Sequence, residues 1–118
     1  MKAKLFHENG DRTYALVFDK GDSVLSELEA FARKHGISAA RFTAIGAFSD
    51  VKLGYFERER KEFLEIPMDE QVEVLSLLGD IAERDGEPKV HAHVVIGLRD
   101  GHTRGAHLLE AHVWPTLE

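Results

Sequence analysis

Five of the seven histidines in this sequence fall in one stretch that begins at His91-Ala92-His93 and closes at His112. In a strand, side chains alternate between faces, so His91 and His93 stand on one side with Val95 and Gly97. Val90, Ala92, Val94, Ile96 and Leu98 make the other side wholly apolar, a face for a core. Arg99-Asp100-Gly101 then reads as a hairpin turn, and His102, His107 and His112 lie on the returning segment. A third imidazole on the return strand completes a donor set. Three neutral imidazoles with an open fourth position suit Zn²⁺. Such an ion lowers the pKa of a bound water towards about 7, or polarises a carbonyl. The plainer chemistry is a set of interface histidines satisfied by hydrogen bonds alone.

The turn decides which imidazoles meet. A three-residue loop at Arg99-Asp100-Gly101 puts Gly101 in the left-handed position and opposes Leu98 to His102 and His93 to His107. His91, His93 and His107 then share a face. A two-residue turn at Asp100-Gly101 opposes His93 to Leu108 and brings Glu110 and His112 to that face instead. A bulge at Gly105-Ala106 can reset the register again. Spacing alone leaves both alternatives open, and both cluster imidazoles. Glu110 is a candidate carboxylate for orienting a ligand imidazole. His102 belongs to the turn, and His7 has no partner in the sequence pattern. Arg41 and Arg104 sit beside small residues, where each either holds an anion or faces solvent or an ion-pair partner. No Ser/His/Asp signature, phosphate-binding glycine loop or GxGxxG motif is present.

The elements that must position this hairpin are short. Residues 2–8 and 12–19 read as strands about an Asn9-Gly10-Asp11 turn. Asp22 is the expected N-cap of one amphipathic helix over residues 23–35, with Val24, Leu25, Leu28, Phe31 and Ala32 at helical spacing. Lys34 and His35 suit its last turn, and Gly36 ends it. Three extended segments follow, 40–48, 51–57 and 62–66. Ser49-Asp50 is the expected turn after the first, residues 58–61 form a charged turn, and Pro67 ends the third. Gly46 and Gly54 mark bulges or a close backbone approach, and small residues around Gly46 leave room for a pocket mouth. Residues 71–81 alternate, then turn apolar, as in a strand that becomes buried. Residues 84–88 close the turn before a strand that runs from Lys89 into the histidines. One helix and about eight short strands predict an α+β fold with a mostly antiparallel sheet.

Composition narrows the function classes. A length of 118 residues fits a single domain spanning 1–118. There is no cysteine, which removes disulfides and thiolate metal sites. The net charge of −6 opposes generic binding to a phosphate backbone. No apolar run approaches the roughly 20 residues that span a bilayer. The opening residues 1–8 turn polar too soon for a secretory signal, and a soluble cytoplasmic protein is the expectation.

An ordered set of segments carries a family resemblance: Thr43-Ala44-Ile45-Gly46-Ala47, Gly54-Tyr55-Phe56, residues 73–79, His91-Ala92-His93-Val94-Val95, Gly105-Ala106-His107-Leu108-Leu109 and Ala111-His112-Val113. In this order they resemble the PPC domain (plants and prokaryotes conserved, DUF296), across nearly the whole chain and in its prokaryotic single-domain form. The resemblance implies a central antiparallel sheet assembled as a homotrimer, an assembly or interaction module often given a DNA-binding label. The AT-hook core Arg-Gly-Arg-Pro of the plant members is absent. Together with the acidic charge, that argues against direct DNA contact. The family's HxH…H pattern maps to His91, His93 and His107. The alternative function is a zinc-dependent enzyme, or a binder of a small-molecule ligand, that uses these three residues.

Overall fold

The first two alternating segments pair as expected. Lys2–Asn9 (β1) and Asp11–Val17 (β2) form an antiparallel hairpin that turns at Gly10, φ 89°. The structure, a computed structural model, describes residues 1–118. The hairpin is a separate two-stranded sheet.

The helix α1 spans Val24–Lys34 and buries Val24, Leu28, Phe31 and Ala32 of the expected stripe, with Leu25 only half-buried against the core. Its N-cap is Ser23 rather than Asp22. The Asp22 carboxylate is engaged elsewhere: it accepts the Asp19 amide at 2.8 Å and lies 3.0 Å from the Met1 ammonium. The helix stops where the chain turns left-handed at Gly36, φ 63°. The Ile37 amide reaches back to the Ala32 carbonyl, and the Gly36 amide to that of Arg33, closing the last turn. His35 caps this end and packs its ring on Phe31, 4.3 Å between centroids.

The remaining strands are Ala39–Glu57 (β3), Glu62–Met68 (β4), Val72–Arg84 (β5), Glu87–Gly97 (β6) and Thr103–Leu117 (β7). With one helix and a mostly antiparallel sheet, the fold class is the expected one, but the chain holds seven strands rather than eight. Segments 40–48 and 51–57 are a single 19-residue strand, and Ser49-Asp50 is no turn. The polar pair is satisfied across the ladder. Asp50 pairs with His112, whose Nδ1 lies 2.8 Å from the Asp50 carboxylate, and Ser49 Oγ donates to the other carboxylate oxygen at 2.8 Å. A turn would discard the His112 contact. Pro67 does not end β4 but pairs with Lys52 inside it, which an edge strand tolerates. The turn before β6 contracts to Asp85-Gly86, both at positive φ, so Arg84 pairs with Glu87.

Along one edge, β3 meets β5 and then β4; along the other it meets β7. Since β5 pairs with β6 and β6 with β7, the strands β3, β5, β6 and β7 close into a ring. One side of this ring, with α1 against β6 and β7, holds the core: Phe48 and Leu53 of β3, Leu77 of β5, Ile96 of β6, and Val113 and Leu117 of β7. No polar or charged residue is buried. The opposite side of β3, β5 and β6 carries Ile45, Leu75, Leu78 and Val95, all exposed.

Gly46 lies at a register shift, as a bulge requires. Its φ is 153°, and a side chain there would meet the carbonyl of Thr116. The space is filled by the β7 backbone, so no pocket opens at Gly46.

Candidate metal centre

The loop Arg99-Asp100-Gly101 has three residues. The Leu98 amide donates to the His102 carbonyl, the Gly101 amide donates to Leu98, and Gly101 sits at φ 88°. The ladder above it opposes Gly97 to Thr103 and His93 to His107 without a break. Ala92, Val94 and Ile96 are buried, so the pleat turns His91 and His93 outward. Of the two alternatives open to the sequence, this is the register that joins His91, His93 and His107.

One ligand nitrogen from each of these three histidines lies within 4.8 Å of the others. Ring centroids are 4.2 Å apart for His93 and His107, and 5.2 Å for each of the other two pairs. A tetrahedral ion at 2.0–2.1 Å from each nitrogen needs them about 3.3 Å apart, a closure of the order that side-chain rotation supplies. The donor set fits a divalent transition metal in charge as well. Burial, then the neighbouring His93 and His91, holds His107 below the ordinary histidine pKa, which favours the neutral ring that ligates a metal.

Glu110 and His112 do not join the trio. Lys52 pairs with Glu110 and Leu53 with Leu108, which leaves Leu109 as an extra residue in β7. The bulge puts Glu110 and His112 on the same outward side as His107, but farther along the strand. Glu110 lies 3.8 Å from the Lys52 ammonium, and its charge acts on His112 rather than on the trio. The Asp50 hydrogen bond raises the His112 pKa against partial burial. Partial burial pushes Asp50 up, and the bonds from His112 and Ser49 outweigh it, so its pKa falls. His102 bonds Asp100 in the exposed loop, and His7 is exposed on β1. Arg104 follows the loop and helps to lower the Asp100 pKa, after the His102 hydrogen bonds.

The ladder adds neighbours to the histidines, among them Asp80 and Phe63, which sequence reasoning missed. Asp80 of β5 opposes His91, and Arg41 of β3 opposes Asp80. A second row runs Thr43, Leu78, His93, His107 and Gly54, starting and ending on β3. Phe63 of β4 stands edge-on to His107 at 4.9 Å and to Phe56 at 5.4 Å. A groove of about 650 Å³ opens beside His93 and His107, with Gly54, Phe56, Gly105 and Ala106 among its lining. The consecutive Leu108-Leu109 pair, which breaks alternation, was the one local signal of the bulge. Partners on β3, β4 and β5 leave no local trace.

The model of the Plants and Prokaryotes Conserved (PCC) domain matches residues 6–118. No curated protein matches the chain. Among solved structures, a plant- and prokaryote-conserved (PPC) protein of Pyrococcus horikoshii is 34% identical, with TM-score 0.84, over 99% of this chain and 75% of its own. A metal-containing protein of Archaeoglobus fulgidus is 33% identical, with TM-score 0.82, over 99% of this chain and 76% of its own. A candidate DNA-binding protein of Ralstonia eutropha is 34% identical, with TM-score 0.83, over 88% of this chain and 72% of its own. With a match that takes in every strand of the closed sheet and all three clustered histidines, the chain belongs to the Plants and Prokaryotes Conserved (PCC) domain family.

Proposed function

We infer that this PCC domain binds one divalent transition metal, zinc, through His91, His93 and His107, and presents it to a small ligand in the adjoining groove. The observation that carries the reading is the convergence of three ligand nitrogens within 4.8 Å on one face of a rigid sheet. The structural relative from Archaeoglobus fulgidus, a metal-containing protein, supports it. When bound, the ion supplies Lewis acidity to a coordinated water or carbonyl, so hydrolysis and lyase-type reactions are the classes to screen. The test is elemental analysis of protein purified without an affinity tag. One zinc per chain, lost in His93→Ala, is the expected result; sub-stoichiometric metal that is unchanged in the variant refutes it.

The second reading concerns assembly, with residues 1–118 acting as one domain. Ile45, Leu75, Leu78 and Val95 form an outward apolar patch beside the histidines, and Leu78 is 55% exposed. Large apolar side chains gathered on one face favour burial against a further copy. A homotrimer is the state proposed, and sedimentation tests it. Direct contact with DNA is disfavoured by the net charge of −6. Binding to duplex DNA at low salt that weakens steeply as salt rises is the outcome that would restore it.

A further inference from the structure

We propose that the groove beside the histidines is a site for small monocarboxylates with a flat apolar body, the carboxylate meeting the metal and the body lying on Phe56. This rests on the metal reading above. Three neutral imidazoles leave both positive charges of a divalent ion uncompensated. Among the other groove residues, Arg58 adds one positive charge, and Glu57 and Glu59 subtract two. The loaded groove therefore carries one net positive charge, the complement of a monoanion. A carboxylate also supplies the hard oxygen donor that an open zinc position accepts.

The shape of the groove sets the rest of the ligand. Beside the histidines the groove is lined by Gly54, Gly105 and Ala106, and the Leu109 side chain lies against Gly54. Two of these residues are glycine for steric reasons. A side chain at Gly54 would run into Leu109, at 2.7 Å, and one at Gly105 into the Val94 carbonyl, at 2.9 Å. Gly54 pairs directly with His107, and Phe56 lies two residues farther along the same outward face of β3. Two residues of strand span about 7 Å. That is the reach of one carboxylate plus one six-membered ring. Phe63 braces Phe56 edge-on and touches His107 by its other contact, so the aromatic wall is continuous from the metal outward. Ring-on-ring contact on such a wall favours a planar body over an aliphatic one.

The probes are benzoate, acetate and benzylammonium, added to protein reconstituted with cobalt, whose visible bands report its coordination. Cobalt stoichiometry is measured first, on the native chain and on Phe56→Ala. With one cobalt per chain, benzoate shifts the bands at roughly tenfold lower concentration than acetate, Phe56→Ala erases that preference, and benzylammonium does nothing. Equal affinity for benzoate and acetate in the native chain overturns the proposal. So does a preference that survives Phe56→Ala, or an equal response to benzylammonium. A chain that binds cobalt yet ignores benzoate sinks this proposal alone; a chain that binds no cobalt sinks the metal reading and this one together.

Discussion

His93 of β6 and His107 of β7 are direct cross-strand partners, their ring centroids 4.2 Å apart. His112 lies beyond the Leu109 bulge and is bonded to Asp50. Replacing the two histidines therefore has opposite consequences. Loss of an outer-shell partner already costs 10–100-fold in metal affinity, so His107→Ala should weaken zinc by more than about 100-fold. His112→Ala should leave zinc affinity unchanged. Competition with a chromophoric chelator reads both, and equal losses would contradict the assignment.

Asp80 faces His91 across the β5–β6 ladder. Directly opposed residues have Cβ atoms about 5 Å apart, within reach of a hydrogen bond from the ring nitrogen that does not ligate. Asp80→Asn should then lower zinc affinity by about tenfold, with thermal stability of the metal-free protein unchanged. Asp80→Glu should restore part of the loss. An Asp80→Asn protein with native zinc affinity excludes the orienting role.

The Asp50–His112 pair gives a pH signature. His112 is raised, so the stability it contributes is complete below its unfolded pKa and is lost as pH rises through its folded pKa. Asp50 is lowered, so its contribution is complete above its unfolded pKa and is lost as pH falls through its folded value. The pair thus contributes most between the ordinary carboxylate and histidine pKa values. Both side chains are over a third exposed, which limits the effect to about 0.5–1 kcal/mol. Urea unfolding of the native chain and Asp50→Asn should differ by that amount near pH 5.5, and the gap should shrink towards pH 8. A constant gap across that range contradicts the pairing.

The outward patch predicts behaviour in solution. Leu78 opposes both Thr43 and His93, at the centre of its face. Leu78→Glu places a charge there without touching the core, so it should yield a folded monomer, while the native chain is expected to sediment as the proposed trimer. Light scattering and far-ultraviolet circular dichroism, measured together, separate dissociation from unfolding. A variant that keeps the native mass argues against this face as the contact.

Much of the architecture is legible from local pattern. The α1 stripe, the buried face of Ala92, Val94 and Ile96, and the Gly101 loop follow from periodicity and turn chemistry. What failed was contact at long range. Ser49-Asp50 has the composition of a turn, but His112, 62 residues from Asp50, satisfies it and carries β3 straight through. Spacing leaves the third ligand open because Arg99-Asp100-Gly101 reads equally as a two-residue or a three-residue turn, and the Leu109 bulge, made by pairing with β3, places His107, Glu110 and His112 on the same side. Of these, the trio includes only His107. Asp80 comes opposite His91, and Phe63 comes against His107, solely through strand order, which no local period encodes.

The uninterrupted β3 has a consequence for where the chain can change length. It supplies Arg41 at one end of the histidine face and Gly54 and Phe56 at the other, joined by backbone alone. Inserting one residue between them would slide the groove about 3.3 Å past the imidazoles and reverse the facing of every side chain beyond it. The Asp85-Gly86 turn lies outside the groove lining and can lengthen as the surface requires, whereas the 99–101 loop sets the His93–His107 register and residues 58 and 59 line the groove. Additional sequence is tolerated at the Asp85-Gly86 end of this domain, while β3 keeps the spacing from Arg41 to Phe56.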